Sequence, residues 1–158
     1  MAEVSKQAEA FQQKLKGMGS AREVKELPDS ARTAQEAADA IGCEIAQIAK
    51  SILFKLQQSG EPLLVIASGT NRIDEQKVLQ HTGDAPGKAD AKFVREHTGY
   101  VIGGVPPMGH AEPIRTLIDK DLLQYDTIWA AAGHPKAVFE LTPEELTQLT
   151  QADVVQVC

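Results

Sequence analysis

The chain has 158 residues, of which 42% are hydrophobic and 24% charged, and its formal net charge is −6. This length and balance predict one globular domain with its own core and argue against wholesale disorder. The acidic balance excludes a protein that coats nucleic acid along its length, and no apolar run reaches the roughly 18–20 residues of a membrane span. Cys43 and Cys158 are too few for a disulfide scaffold and match no zinc spacing, so we expect a reduced, cytoplasmic protein.

The first half of the chain predicts helices and one hairpin. Residues 4–18 place apolar side chains at steps of three and four, which is typical of an amphipathic helix. Thr33, followed three residues later by Glu36, forms a capping-box pattern and predicts a helix over residues 34–41 that ends at Gly42. Two apolar runs flank a polar loop and predict a β-hairpin. The runs cover residues 49–56 and 63–67, and shorter elements are a strand at 24–27 and a helical turn at 45–48.

The second half predicts mainly strands. Helices are expected over residues 74–81 and 90–97, each followed by Thr-Gly, and a last helix begins at Pro143 after the N-cap Thr142. Strands are expected at residues 100–102, 114–118, 127–131, 137–141 and 154–157. Because strands outnumber helices and do not alternate with them, we expect an α+β fold with a mixed, curved, barrel-like sheet and helices packed around it.

The most unusual stretch is a loop rich in glycine and proline, Gly103-Gly104-Val105-Pro106-Pro107-Met108-Gly109-His110. Glycines allow a ligand to approach the main chain closely, and prolines stiffen a loop and remove competing donors. Such a loop can hold a carbonyl, a phosphate or a ribose edge through main-chain hydrogen bonds. An ordered turn between two strands explains the same composition, so both interpretations stay open on the residues alone.

Two further positions carry functional groups in suggestive places. Lys50 lies at the start of an apolar run, where a lysine either protects a strand edge or places an amine in a pocket. The segment Gly133-His134 follows a predicted strand, where a histidine serves as a general base, a substrate contact or a solvated turn residue. No nucleophile elbow and no cluster of metal-ligand spacing accompanies them.

Taken together, residues 49–54, 103–110 and 132–135 resemble, in order and spacing, the YbaK family. This family includes the editing (insertion) domain of bacterial prolyl-tRNA synthetases and its free-standing relatives. The likeness covers roughly residues 20–157 and implies one editing domain over residues 1–158, with the helix at about 3–18 as an appendage. His110 replaces the residues that some relatives have at that position, which leaves the amino-acid specificity open.

The resemblance implies a trans-editing deacylase that hydrolyses the ester of a mischarged aminoacyl-tRNA, either tRNA(Pro) or another tRNA carrying a small wrong amino acid. A water molecule or a group of the substrate would be positioned at the ester, with no cofactor and no metal. The catalytic residues implied are Lys50, Gly103 and Gly104, and the substrate-binding residues are Ser51, Pro107, Met108, His110, Gly133 and His134.

The implied partner is the 3′ acceptor end of aminoacyl-tRNA, with an aminoacyl-tRNA synthetase as a second candidate, and neither DNA nor a membrane. A small basic patch would suffice for that end, and its candidates are Lys14, Lys16, Lys88, Lys92, Arg95 and Lys136. The alternative is a non-catalytic module that binds aminoacyl-tRNA or a synthetase through the same loop.

Overall fold

A computed structural model describes residues 6–28 and 33–158 of the protein. Within these residues, five α-helices accompany one sheet: α1 (Lys6–Gly17), α2 (Ala34–Ile41), α3 (Glu75–Thr82), α4 (Ala91–Thr98) and α5 (Pro143–Thr150). The sheet has eight strands: β1 (Val24–Glu26), β2 (Ile48–Leu56), β3 (Pro62–Ser68), β4 (Pro86–Lys88), β5 (Arg115–Asp119), β6 (Ile128–Ala131), β7 (Ala137–Leu141) and β8 (Asp153–Val155). Short 3₁₀ helices cover Ile45–Gln47 and Lys120–Gln124. In the part of the chain so described, no helix is long and apolar enough to cross a membrane.

The sheet is mixed, with strand order β1-β7-β6-β2-β3-β5-β8 and with β4 paired to β2. Antiparallel pairs are β1 with β7, β6 with β7, and β2 with both β3 and β4, while β2–β6, β3–β5 and β5–β8 are parallel. The predicted α+β class and mixed sheet are confirmed. The sheet is open rather than closed into a barrel, since no pairing joins β1 to β8 among the described strands.

Helix α1 packs into the largest hydrophobic core. Its apolar residues Ala8, Phe11 and Leu15 are completely buried, and the Phe11 ring lies 5.2 Å from that of Phe139 on β7. The steps of three and four in the sequence put these side chains on one face of the helix. The helix is therefore an integral part of the core; the predicted start at residue 4 lies outside the described residues.

Local sequence signals fix the ends of helix α2. The Thr33 hydroxyl accepts the Glu36 N–H at 3.1 Å, and Gly42 adopts a left-handed conformation with φ 87° at the other end. The Glu36 carboxylate accepts the Thr33 hydroxyl rather than the main chain. The reciprocal capping box occurs instead in α5, between Thr142 and Glu145.

The structure differs from the sequence predictions in one expected strand and in two elements that were not predicted. Residues 100–102 were expected as a strand, but they enter a tight turn in which Gly104 N–H donates to Val101 O at 3.0 Å. The short strand β4 was not predicted, because proline and glycine are depleted in strands. Gly87 nevertheless suits this position, since a Cβ there would lie 2.8 Å from Lys55 O on the neighbouring strand. The 3₁₀ helix Lys120–Gln124 was also not predicted.

Candidate functional site

A cleft of about 1200 Å³ lies beside strand β2. Its walls come from β2, from α2, from the segment after β3 and from the tip of the glycine-proline loop. A pocket for a small ligand usually measures about 300–1,000 Å³. The cleft therefore has room for a substrate as large as a nucleotide that carries a further group.

The cleft exists because strand β2 is paired on one side only over part of its length. Strand β3 pairs with β2 from Ala49 to Lys55. On the opposite side, β6 pairs with β2 only as far as Ala49, and β4 begins to pair at Phe54. Residues 50–53 thus form a gap in the ladder, and no described strand fills it. We call these residues the open edge of β2, and all of them line the cleft.

Lys50 stands at the beginning of this open edge. Its ammonium group donates to the main-chain O of Asn71 at 2.7 Å. Burial lowers the pKa of Lys50, and the negative charge of Asp119 opposes that effect. The hydrogen bond to Asn71 therefore fixes the side chain, and Asp119 favours its charged form. A fixed ammonium group of this kind can contact an anionic or carbonyl oxygen.

The buried carboxylate of Asp119 fixes Asn71, the residue whose main-chain oxygen accepts the hydrogen bond from Lys50. Asp119, at the end of β5, is completely buried. Its oxygens accept the Ser68 N–H at 3.0 Å and the Asn71 side-chain amide at 2.7 Å. The Asn71 amide also donates to Asp121 at 2.8 Å. Because Asn71 is fixed by two carboxylates, its carbonyl oxygen is a rigid acceptor for Lys50.

The turn that leads into the glycine-proline loop forms the lip of the cleft, and we call its residues 101–103 the tip of that loop. The hydrogen bond from Gly104 to Val101 closes a four-residue turn with Ile102 and Gly103 at its centre. Gly103 has φ 93°, a conformation at the third position of such a turn that favours glycine strongly. The turn presents Ile102 outward with 57% of its surface exposed, so an apolar side chain borders the cleft.

Gly104, Gly133 and His134 form a layer behind the lip rather than the wall itself. Gly133 N–H donates to Gly104 O at 3.0 Å. A Cβ on Gly104 would lie 2.8–2.9 Å from main-chain atoms of His134, a distance that real Cβ atoms do not adopt. The His134 ring accepts the Lys136 N–H through Nδ1 at 3.0 Å. These residues support the turn that carries Gly103, and the cleft does not reach them.

Helix α1 clamps the same loop from the rear. The Lys14 ammonium donates to Gly109 O at 2.7 Å and to the Tyr100 hydroxyl at 3.1 Å, and that hydroxyl donates to Gly109 O at 3.1 Å. Phe11 packs edge-on against the Tyr100 ring. A Cβ on Gly133 would lie 3.0 Å from Gln7 O and 3.4 Å from Phe11 Cβ. Close helix packing thus favours glycine at position 133, and left-handed φ angles of 93° at Gly133 and 79° at Gly109 favour glycine at both positions.

Pro107, Met108 and His110 lie apart from the cleft. They border a second, shallower depression of about 350 Å³ on the other side of the loop. Pro107 and Met108 are buried. His110 Nε2 bonds to Pro106 O at 2.7 Å, and burial lowers its pKa. Of the predicted site residues, the cleft therefore brings together Lys50, Ser51 and Gly103.

Charge in the cleft differs from charge in the whole chain. The charged residues lining it are three bases, Lys50, Arg72 and Lys88, and one acid, Glu75, although the net charge of the chain is −6. A local positive excess favours an anionic ligand. Lys88 was among the residues predicted for a basic patch. Arg72 was not, because the position of the segment after β3 beside the cleft depends on contacts between residues distant in the sequence.

Among the residues that the structure describes, one cluster of possible metal ligands lies next to Asn71. Oxygens of Asp119 and Asp121 and the sulfur of Cys158 lie within 4.8 Å of one another. The two carboxylates already accept hydrogen bonds from Asn71 and from the main chain. The two carboxylates therefore fix Asn71, whose main-chain oxygen accepts the hydrogen bond from Lys50.

Comparison with known proteins places most of the chain in one family. A family model described as an aminoacyl-tRNA editing domain matches residues 28–149. Protein YwhH of Bacillus subtilis, whose function is uncharacterized, is 34% identical over 137 residues, which cover 86% of this chain and 87% of that protein.

Two further relatives have more specific descriptions. The "putative Cys-tRNA(Pro)/Cys-tRNA(Cys) deacylase EbsC" of Enterococcus faecalis is 25% identical over 126 residues, which cover 79% of this chain and 76% of that protein. A crystal structure of "a putative trans-editing enzyme for prolyl tRNA synthetase" is 44% identical and superposes with a TM-score of 0.92 over 98% of both chains. Helix α1 lies within that superposition but outside the region that the family model matches.

Proposed function

Since the chain belongs to the aminoacyl-tRNA editing domain family, we propose that it is a hydrolase that deacylates mischarged aminoacyl-tRNA. Its substrate is tRNA(Pro) or another tRNA that carries a small wrong amino acid, and it acts on the 3′ acceptor end. The description of one relative as a deacylase and of another as a trans-editing enzyme supports this class of reaction.

The observation that carries the proposal is the position of Lys50. Lys50 lines the cleft, and its ammonium group is fixed to Asn71 O at 2.7 Å. The turn of Val101–Gly104 borders the same cleft. A phosphate or ribose oxygen of a terminal nucleotide would meet a positive charge there, and Arg72 and Lys88 extend the charge along the cleft.

The chemistry asks little of the protein beyond positioning. An ester between an amino acid and a ribose hydroxyl is already activated, and water attacks its carbonyl carbon to give a free amino acid and a free hydroxyl. Holding the ester and the water in place, with donors near the developing oxyanion, lowers the activation free energy by several kcal/mol. Lys50 would orient the nucleotide end, and the turn at Gly103 would limit access of larger side chains.

The test is deacylation of a panel of aminoacyl-tRNAs by the wild type and by Lys50→Ala. The panel contains tRNA(Pro) charged with Cys, Ala, Ser or Pro, and other tRNAs charged with Ala or Ser. We expect selective hydrolysis, reduced at least about a hundredfold by Lys50→Ala. Lys120→Ala is the control, since this exposed lysine lies outside the cleft, and it should leave the rate unchanged.

A pH profile adds an independent readout. Burial lowers the pKa of Lys50. As the pH rises, this side chain therefore loses its positive charge at a lower pH than an ordinary lysine, whose pKa is about 10.4. The enzymatic rate, divided by the spontaneous rate, should show an alkaline decline due to Lys50 in wild type that is absent in Lys50→Ala, whereas any effect of deprotonating the substrate's α-ammonium group remains in both. Full activity of Lys50→Ala would refute the role of Lys50, and no hydrolysis of any ester would favour a non-catalytic binding module.

A further inference from the structure

The open edge of β2 leaves main-chain hydrogen-bonding groups free inside the cleft. Leu56 N–H donates to Glu61 O on the β3 side, and Gln57 N–H donates to Ala85 O on the β4 side. Main-chain groups of successive residues in a strand point to opposite sides. Ser51 and Leu53 therefore direct their N–H and C=O groups away from β3, toward the cleft.

Ser51 and Leu53 are the two residues of the gap whose main-chain groups face the cleft. Of these two, Ser51 lies farther from the nearest residue of β2 that is paired on that side. The flanking pairs are Ala49 with Ala130 and Phe54 with Lys88. Ser51 has a register partner in β3, Ile66, but none in β6 or β4, the described strands that pair with β2 on the cleft side. Its hydroxyl oxygen is also buried and lacks a hydrogen-bond partner among those residues. A buried polar group without a partner is costly, so this set of atoms points to a ligand.

We propose that Ser51 binds the aminoacyl group of the substrate as one residue of an added antiparallel strand; this inference rests on the proposed function. The Ser51 N–H donates to the ester carbonyl oxygen, and the Ser51 C=O accepts from the α-ammonium group. An aminoacyl ester has the same N–Cα–C=O order as a residue in a chain. Two residues in a hydrogen-bonded antiparallel pair exchange both of these bonds.

The length of the gap selects a single residue rather than a peptide. Four residues of β2 span about 10 Å between their first and last Cα atoms, at roughly 3.3 Å per residue. The ends of β6 and β4 close both sides of this interval. One aminoacyl group attached to a nucleotide fits the interval, whereas an extended peptide would collide with the flanking strands.

The same pairing specifies the class of amino acid. Side chains of paired residues lie on the same face of a sheet, with Cβ atoms about 5 Å apart. The side chain of the substrate therefore lies beside the unpartnered Ser51 Oγ. A small side chain with a hydroxyl, as in serine, satisfies that oxygen, whereas the methyl group of alanine leaves it unpaired.

The first experiment compares esters with and without the amino group. Seryl-tRNA is compared with 3-hydroxypropionyl-tRNA, and alanyl-tRNA with propionyl-tRNA, each rate being divided by the rate of spontaneous hydrolysis. We expect a loss of at least about tenfold in each desamino ester, which corresponds to about 1.4 kcal/mol. We also expect seryl esters to react about tenfold faster than alanyl esters, and Ser51→Ala to abolish this preference. Equal rates for amino and desamino esters would overturn the pairing, and a seryl preference unchanged in Ser51→Ala would overturn the role of the hydroxyl.

The second experiment measures binding independently of hydrolysis. The probe is 3′-serylamido-3′-deoxyadenosine, which keeps the amine and the carbonyl but resists hydrolysis, and it is titrated while the amide NMR signals are followed. The Ser51 amide signal should shift, and replacement of the Ser51 N–H by an ester oxygen should weaken binding about tenfold. The same replacement at Ile52, whose N–H points to β3, is the control and should leave binding unchanged.

The two experiments separate the two proposals. Binding at Ser51 without hydrolysis of any ester would reject the hydrolase and keep the inference. Hydrolysis that does not depend on the amino group would keep the hydrolase and reject the inference. Absence of binding at Ser51 in the titration would likewise reject it.

Discussion

The glycine-proline loop has two regions that differ in how they are held. Its tip, at Val101 and Ile102, is exposed by 44% and 57% and is held by one turn hydrogen bond. Its rear, from Gly104 to Gly109, is packed against Gly133, His134 and helix α1. One short stretch thus combines a surface left free for a ligand with a base fixed by close packing. Rigid support behind an exposed tip is what lets a loop bind with little loss of entropy.

The strongest way to break this contrast is Gly104→Ala, which places a methyl group against the main chain of His134. Overpacking of this kind costs typically 1–3 kcal/mol, and we expect a loss of about 2–3 kcal/mol in the free energy of unfolding together with a large loss of deacylation. Chemical denaturation measures the first effect. Gly17→Ala is the matched control, because open space surrounds that glycine, and it should leave stability equal or slightly higher. Wild-type stability of Gly104→Ala would contradict the packing role.

A milder change to the rear is Lys14→Met, which keeps the aliphatic stem but removes the ammonium group that bonds to Gly109 and Tyr100. We expect a loss of about 1 kcal/mol in the free energy of unfolding and a several-fold decrease in kcat. Thermal denaturation and single-turnover kinetics measure the two effects. Lys16→Met, on the same last turn of α1, should change neither, and an equal effect in both variants would argue against a clamp.

At the tip we expect the smallest effect on stability. Ile102→Ala should change the free energy of unfolding by less than about 0.5 kcal/mol, because the side chain is mostly exposed. The KM for the tRNA substrate should rise about three- to tenfold, since burial of part of an isoleucine contributes on the order of 1 kcal/mol. Steady-state kinetics check this, and an unchanged KM would show that the substrate does not cover the tip.

Local signals predicted the fold well where they act over a few residues. Alternating apolar residues on both sides of a polar loop predicted the hairpin of β2 and β3, and threonine and glycine caps predicted α2. The expected strand at residues 100–102 was wrong, because Gly103 and Gly104 close a turn over residues that have strand-like side chains. Strand β4 was missed since Gly87 is selected by close contact with Lys55, and such a contact leaves no periodic pattern.

The site was predictable in part for the same reason. Lys50, Ser51 and Gly103 were named from the sequence and do line the cleft. Asn71 and Asp119, which hold Lys50, could not be found, because they reach it from segments 21 and 69 positions away in the chain. The open edge of β2 depends on where β6 and β4 stop pairing, and a single strand's sequence does not contain that information.

The docking of helix α1 has a consequence for the synthesis of the protein. Its Lys14 bonds to residues that follow 86 and 95 positions later in the chain. At about 5–20 residues per second, the ribosome needs roughly 4–20 s to make that stretch. During this interval the apolar stripe of Ala8, Phe11 and Leu15 has no loop to cover, so α1 completes the core late. A chaperone that binds short apolar helices would therefore have access to α1 before the rest of the core has been synthesised and can pack against it.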